Sequence, residues 1–183
     1  MTPKEALRQK QRETDHSENA ETIFANLMPL IHWESKPIIA GYWPIDGEID
    51  DLPFLQYCHN QGLQCSLPFI TDATSPLTFK AWKPSDILEK GMYGIPAPAP
   101  EAADLMPDIL LIPLIAFDTD CYRLGRGGGF YDRTLEYLRQ NHVVFAIGLA
   151  YDCQEVDYIA REAHDHRLDC IVTPTRVVNV ISK

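Results

Sequence analysis

The 183-residue chain is 45% hydrophobic and 23% charged, a composition too apolar for a disordered polypeptide and sufficient for one large core, so a single domain over 1–183 is expected. Its formal net charge of -10 argues against nucleic acid or an anionic membrane as partner, because both demand a continuous basic surface. No stretch approaches the ~18 consecutive apolar residues of a membrane span, and the richest run, Ile109 to Phe117, is broken by Pro113.

The chain opens MTPKEALRQKQRE, which is charged, helical in pattern and without the apolar centre of a secretion signal, so a cytoplasmic protein is expected. Thr2 and Glu5 fit a capping box, Pro3 suits the first helical position, and Glu5 complements the positive helix start. Lys4, Arg8 and Arg12 recur every four residues and share one face, while Ala6 and Leu7 lie off that stripe. Such a stripe either decorates a solvated surface or converges on an anion. A second helical pattern runs from Glu18 to Trp33, apolar at Ile23, Phe24, Leu27, Leu30 and Ile31.

Next, PIIAGYW, opened by Pro37, reads as a short buried strand. PIDGEIDDLPFLQYCHNQG reads as a loop entering a helix that ends near Gly62, and LQCSLPF and LTFKAW read as strands. MYGIPAPAPEAADLMP has no regular period, but Met92, Tyr93 and Ile95 are more apolar than a linker needs, so it is expected to fold against the domain. DILLIPLIAF is the most apolar strand and leads into RLGRGGGFYDR, beyond which Tyr131, Leu135 and Leu138 have helical spacing. The tail holds the strand VVFAIGLA, a short helix over QEVDYIA, and the closing runs CIVT and RVVNVI. Short strands that mostly do not alternate, separated by helices, predict an α/β protein of three-layer α/β/α architecture with a mostly parallel central sheet. Cys58, Cys65, Cys121, Cys153 and Cys170 are odd in number and lack a CxxC pair, so neither a disulfide framework nor a zinc site is expected.

The glycine-rich stretch sits where such sheets bind ligands, after the carboxyl end of a strand and before a helix. It fails the Walker pattern, which needs GxxxxGK, and the dinucleotide pattern, since Gly125 and Gly127 are followed three residues on by Phe130. The physics survives both failures: consecutive glycines let backbone N–H groups approach an anion, and a helix start adds positive charge. Arg123 and Arg126 supply bidentate donors for phosphate oxygens. Asp132 repels phosphate unless a divalent cation bridges them; otherwise the stretch is a tight turn with Asp132 as a helix-start charge.

RLGRGGGFYDR with the upstream IPLIAFD resembles the signature of the 5-formyltetrahydrofolate cyclo-ligase family. KEALR, PIDGEID, YGIPAP and IGLAYDCQEVDYIAREAHDHRLDCIVT are similar to the family's other motifs, in order, nearly end to end. The resemblance implies a fold like the NagB/RpiA/CoA-transferase-like group and an ATP-dependent closure of 5-formyltetrahydrofolate to 5,10-methenyltetrahydrofolate, with ADP and phosphate released. It implies ATP as co-substrate and Mg²⁺ as cofactor. The expected partners are these small molecules, with the chain a monomer or weak homo-oligomer.

Residue by residue, the resemblance implies ATP contacts from Lys4, Arg8, Arg123, Leu124, Gly125, Arg126, Gly127, Gly128, Gly129, Phe130 and Tyr131. Arg126 is expected to stabilise the transferring phosphoryl group and Tyr131 to lie beside substrate and nucleotide, which makes these two the catalytic candidates. Glu48 matches the acidic residue that binds the folate, and Asp132 and Asp165 match carboxylates near Mg²⁺. Tyr42, Trp43, Trp82 and Tyr93 are candidates for stacking on the folate rings, against the alternative that they are core. Ala97, Phe130, Pro174 and Gly128 depart from residues common in the family; none is a phosphate or metal ligand carried by its side chain. Two alternatives stand beside the ligase: a non-catalytic folate or nucleotide binder of the same fold, and a sugar-phosphate isomerase that needs no ATP.

Overall fold

The computed structural model describes residues 2–12 and 21–179. Glu18, the expected start of the second helix, the Arg12 side chain and the end of RVVNVI lie outside the described residues.

Helix α1 (Pro3–Arg12) begins on the predicted capping box: Thr2 N donates to Glu5 Oε2 at 2.7 Å and Glu5 N donates to Thr2 Oγ1 at 3.2 Å. Helix α2 (Glu21–Leu27) stops earlier than the pattern predicts, because Pro29 has no N–H to continue the ladder and the chain tightens into 3-10 turns at Met28–Leu30 and Trp33–Ser35. Only β1 (Ile39–Ala40) of PIIAGYW joins the sheet. Helix α3 (Leu52–Asn60) ends before Gly62, whose φ of 84° suits the left-handed exit from a helix.

Strands β2 (Cys65–Phe69) and β3 (Thr78–Trp82) follow, and then a small ribbon of β4 (Glu89–Lys90) and β5 (Pro96–Ala97) that folds the proline-rich loop back on itself. Strand β6 (Ile109–Pro113) precedes a second ribbon, β7 (Ala116–Phe117) with β8 (Arg123–Leu124), which delivers the chain to the glycines and to α4 (Phe130–Asn141). Strands β9 (Phe145–Leu149), β10 (Cys170–Val172) and β11 (Val177–Asn179) complete the element order. QEVDYIA is not the helix predicted: Asp152–Gln154 makes one 3-10 turn and the chain then runs irregularly. The buried Gln154 side chain caps Tyr151 N and donates to Leu114 O and Ile115 O, so tertiary hydrogen bonds hold this segment in place of a helical ladder.

The main sheet has the order β11-β10-β9-β6-β1-β2-β3. Its interior pairings are parallel, and only the two edges, β2 with β3 and β10 with β11, are antiparallel. Strand β6 shows why the sheet is covered on both faces. Ile109 and Leu111 pack with Ile23, Leu27, Phe54 and Leu55 from α2 and α3, whereas Leu110 and Ile112 pack with Leu135 and Leu138 from α4. Burying each such side chain is worth roughly 1.5–3 kcal/mol. The result is the three-layer α/β/α arrangement with a mostly parallel sheet.

A third, small cluster joins Ala116, Leu124 and Ile159 to Leu7, Tyr122 and Val156. It seats α1 on the β7–β8 ribbon through Leu7, leaving Lys4 and Arg8 beside the glycine stretch. Cys58, Cys65, Cys121 and Cys170 are buried thiols. No helix among the described residues is long and apolar enough to cross a membrane.

Candidate functional site

One cavity of about 750 Å³ opens beyond the carboxyl ends of β1, β2 and β6. It gathers the start of α1, the turn after β1, the loop between β4 and β5, the whole glycine stretch and the segment 162–165. Its volume lies within the range of small-molecule sites. Its lining combines charged side chains with the apolar and aromatic Trp43, Ile70, Met92, Tyr93 and Ile95.

Within this lining, α1 is tied down by its cations. Lys4 Nζ stands 2.8 Å from both Glu162 Oε1 and Asp165 Oδ2. Partial burial opposes the Lys4 charge, yet the two carboxylates hold it above its ordinary value. Burial likewise raises Asp165, but the hydrogen bonds from Lys4 and the Glu162 N–H outweigh it and hold that carboxyl below the usual range. Arg8 Nε donates to Gly125 O at 2.8 Å, and its guanidinium lies against Gly127, where an added Cβ would meet Nη2 at 3.3 Å.

The glycines take conformations other residues resist: Gly127 has φ 100° and Gly129 has φ 68°. Gly129 is the N-cap of α4 and supplies no side-chain acceptor, so the first-turn N–H groups of that helix remain free of a side-chain cap. A helix start of this kind attracts anions.

Arg123 departs from its expected use. Its side chain is 5% exposed, with Nη1 donating to His166 O at 2.9 Å and Nη2 to Asp132 Oδ1 at 3.0 Å. Those donors organise the site by fixing Asp132 beside the segment that carries Asp165. The His166 N–H also donates to Asp132 Oδ1, at 3.1 Å. The described bonds of Asp132 fall on Oδ1 and the short ones of Asp165 on Oδ2, so each carboxylate is oriented through one oxygen. Among the described residues no group of three or more His, Cys, Asp or Glu side chains could enclose a metal. This donor set fits a hard cation that keeps water and phosphate oxygens as its remaining ligands.

Glu48 and Arg126, expected to serve opposite halves of the site, are paired. Arg126 Nε donates to Glu48 Oε1 at 2.9 Å and Nη1 to Asp46 Oδ2 at 3.1 Å. Nη2 donates to Ile45 O at 2.9 Å and to Asp46 O at 3.4 Å. The receiving turn is built by its Asp-Gly pair: Asp46 and Gly47 have φ 43° and 79°, and Glu48 N closes on Ile45 O at 3.1 Å. Burial lifts the Glu48 carboxyl above its ordinary value, against the opposing pull of Arg126.

The aromatic candidates separate. Tyr93 lines the cavity, 66% exposed, with φ 59° in a left-handed turn, and its ring meets the edge of Phe130 at 6.2 Å. Phe130 carries the Arg133 guanidinium over its ring, 4.9 Å from the ring centre. Tyr42 borders the cavity, but its hydroxyl is buried and donates to Ile49 O at 2.7 Å. Trp82 does not reach the cavity; it packs in the core with Cys65, its partner across β2 and β3. Tyr131 borders the cavity, and burial followed by the charges of Glu48 and Asp51 pushes its phenol well above the ordinary value. Leu124 contributes backbone, as its side chain is buried under α1.

Glu162 and Asp46 escaped the sequence reading. Glu162 lies three residues before Asp165, and Asp46 belongs to the stretch read as a loop, but neither position reveals that a distant cation is the partner.

Residues 3–174 match the sequence profile described as the 5-formyltetrahydrofolate cyclo-ligase family. The chain is 35% identical over 144 residues to the 5-formyltetrahydrofolate cyclo-ligase of Escherichia coli K12, covering 76% of this chain and 79% of that protein. It is 35% identical over 165 residues to the Haemophilus influenzae 5-formyltetrahydrofolate cyclo-ligase, covering 87% and 84% respectively. Among solved structures, the 5,10-methenyltetrahydrofolate synthetase of Aquifex aeolicus superposes with a TM-score of 0.79 at 26% identity, over 98% of this chain and 92% of that one. The synthetase of Mycoplasma pneumoniae gives a TM-score of 0.70 at 26% identity, over 98% and 100%.

Proposed function

From the premise that this chain belongs to the 5-formyltetrahydrofolate cyclo-ligase family, we propose that it closes 5-formyltetrahydrofolate to 5,10-methenyltetrahydrofolate at the expense of ATP, using the cavity described above. The observation that carries the reading is the lining of that cavity: cations and glycines in one wall with apolar and aromatic side chains and the Glu48 carboxylate. A polyphosphate suits the cations and glycines, and a pterin with its aminobenzoyl ring suits the apolar and aromatic side chains with the carboxylate.

The N5-formyl group is amide-like and a poor electrophile, so its oxygen takes the γ-phosphoryl group of ATP and ADP leaves. N10 then attacks the activated carbon and gives up its proton, the five-membered ring closes, and loss of phosphate, which can carry that proton away, leaves the methenyl cation. The protein's work is positioning and charge stabilisation. Lys4 and Arg8 hold polyphosphate oxygens, and the backbone N–H groups around Gly125, Gly127, Gly128 and Gly129 approach them without Cβ hindrance. Arg126 supports the phosphoryl group in transit. Glu48 accepts hydrogen bonds from the guanidine-like edge of the pterin, and Tyr93 and Trp43 flank its rings. Tyr131, protonated, donates toward the formyl and phosphoryl oxygens. Asp132 and Asp165 would hold Mg²⁺, which supplies neutralisation of the polyphosphate charge when bound.

Incubation with 5-formyltetrahydrofolate, ATP and Mg²⁺ tests the reading: a methenyl chromophore should appear in step with ADP. ADP without chromophore, or neither product, would overturn it. Chromophore formation without ATP would favour a different chemistry.

A further inference from the structure

Arg126 is held by a receptor built for a guanidinium. Four acceptors, Ile45 O, Asp46 O, Asp46 Oδ2 and Glu48 Oε1, surround its three nitrogens at 2.9 to 3.4 Å. The Asp-Gly turn aims these acceptors at one point, and the Glu48 side chain, 8% exposed, has Arg126 as its cationic partner there. The amino-pyrimidinone edge of a pterin presents the same pattern of in-plane N–H donors as a guanidinium. Both cannot occupy one turn.

We infer that Arg126 and the pterin edge compete for the 45–48 turn, so that arrival of the folate ejects Arg126 toward the polyphosphate and couples the two substrates. The inference rests on the function proposed above. Arg126 is suited to the exchange: it keeps 30% of its side chain exposed, Gly125 and Gly127 flank it, and the Gly125 carbonyl already touches Arg8. A short swing carries its charge from the acidic turn to the polyphosphate. The energetics require two ligands. Folate alone exchanges a cation for a neutral edge at Glu48 and leaves Arg126 unpartnered, whereas folate with nucleotide gives Arg126 a phosphate in return. Binding of each substrate therefore favours the other, equally in both directions. Without folate, Arg126 is withheld from ATP, which limits wasteful hydrolysis.

The test is titration of a non-hydrolysable ATP analogue with Mg²⁺, with and without saturating 5-formyltetrahydrofolate. In the unaltered protein, folate should tighten the nucleotide about tenfold, within the usual range of coupling between sites. Asp46→Asn keeps a residue type that tolerates left-handed backbone but weakens the parking contact. It should tighten the nucleotide roughly two- to fivefold in the folate-free protein, the worth of an exposed ion pair, and shrink the coupling to match. Arg126→Ala should abolish coupling. Equal nucleotide affinity with and without folate, or undiminished coupling in Arg126→Ala, would overturn the exchange. Coupled binding without conversion of 5-formyltetrahydrofolate would support the exchange and sink the proposed reaction; conversion without coupling would do the reverse.

Discussion

Lys4 Nζ and Asp165 Oδ2 stand 2.8 Å apart although 161 positions separate them in the chain. This contact, with Arg8 on the Gly125 carbonyl, is what makes the first helix part of the cavity wall. Lys4→Ala should weaken binding of the Mg²⁺ nucleotide by about tenfold or more, the usual worth of a charge-assisted hydrogen bond, while folate affinity changes little. Calorimetric titration of each ligand measures the split. Limited proteolysis near Arg8 should quicken in the same variant, and unchanged cleavage would show that Leu7 alone holds the helix.

The glycines differ in what they are for. Gly125 has nothing within 4 Å of an added Cβ, whereas Gly127 has φ 100° and faces the Arg8 guanidinium at 3.3 Å. Gly127→Ala should therefore cost stability, about 1–2 kcal/mol for the backbone alone. Gly125→Ala should stay within about 0.5 kcal/mol of the parent and still weaken nucleotide binding, because a methyl group blocks the approach of phosphate. Thermal unfolding beside nucleotide titration separates the two. Full nucleotide affinity in Gly125→Ala would remove that residue from the phosphate site.

Arg126→Ala should lower kcat by roughly a hundredfold or more, the scale of losing a transition-state donor. Its folate affinity should hold or improve, since Glu48 loses its resident guanidinium. Steady-state kinetics with direct folate binding gives both numbers. A fall in folate affinity equal to the fall in rate would mean that Arg126 binds the folate itself.

Asp51 carries a pH dependence of its own. It is fully buried, accepts a hydrogen bond from Tyr42 N at 3.0 Å, and its Oδ1 has no hydrogen-bond partner among the described residues. Burial, reinforced by the nearby charges of Asp50 and Glu48, pushes its carboxyl well above the ordinary value. Between the unfolded and folded values the native state binds the extra proton, so stability falls as pH rises through that window, by about 1.4 kcal/mol per pH unit at most. Asp51→Asn removes this slope. Thermal melts at pH 5 and pH 7 should show the parent gaining stability on acidification relative to the variant; parallel curves would mean that Asp51 is ionised in the fold.

Much of the architecture was legible because it depends on short-range chemistry. The Thr2 and Glu5 capping box and the apolar β6 run follow from neighbours a few residues apart, whereas the stop of the second helix before Pro29 was missed. QEVDYIA failed as a helix because a buried Gln154 found its partners in Leu114 and Ile115, which no local pattern announces. Trp82 looked like a stacking candidate by type alone, and only the pairing of β2 with β3 assigns it to the core.

The sequence by itself determined the layers, the glycine-lined turn before α4 and the family to which these motifs belong. Tertiary structure decided which charges meet. The Asp-Gly turn follows β1 and the glycine stretch lies downstream of β6, and these strands are parallel neighbours with Ile39 opposite Ile109. That adjacency places Arg126 against Glu48, 78 residues away in the chain. Strand order is set by the burial of whole faces, an energy summed over the entire sheet, so the pairing it imposes is not written in the spacing of the residues that finally touch.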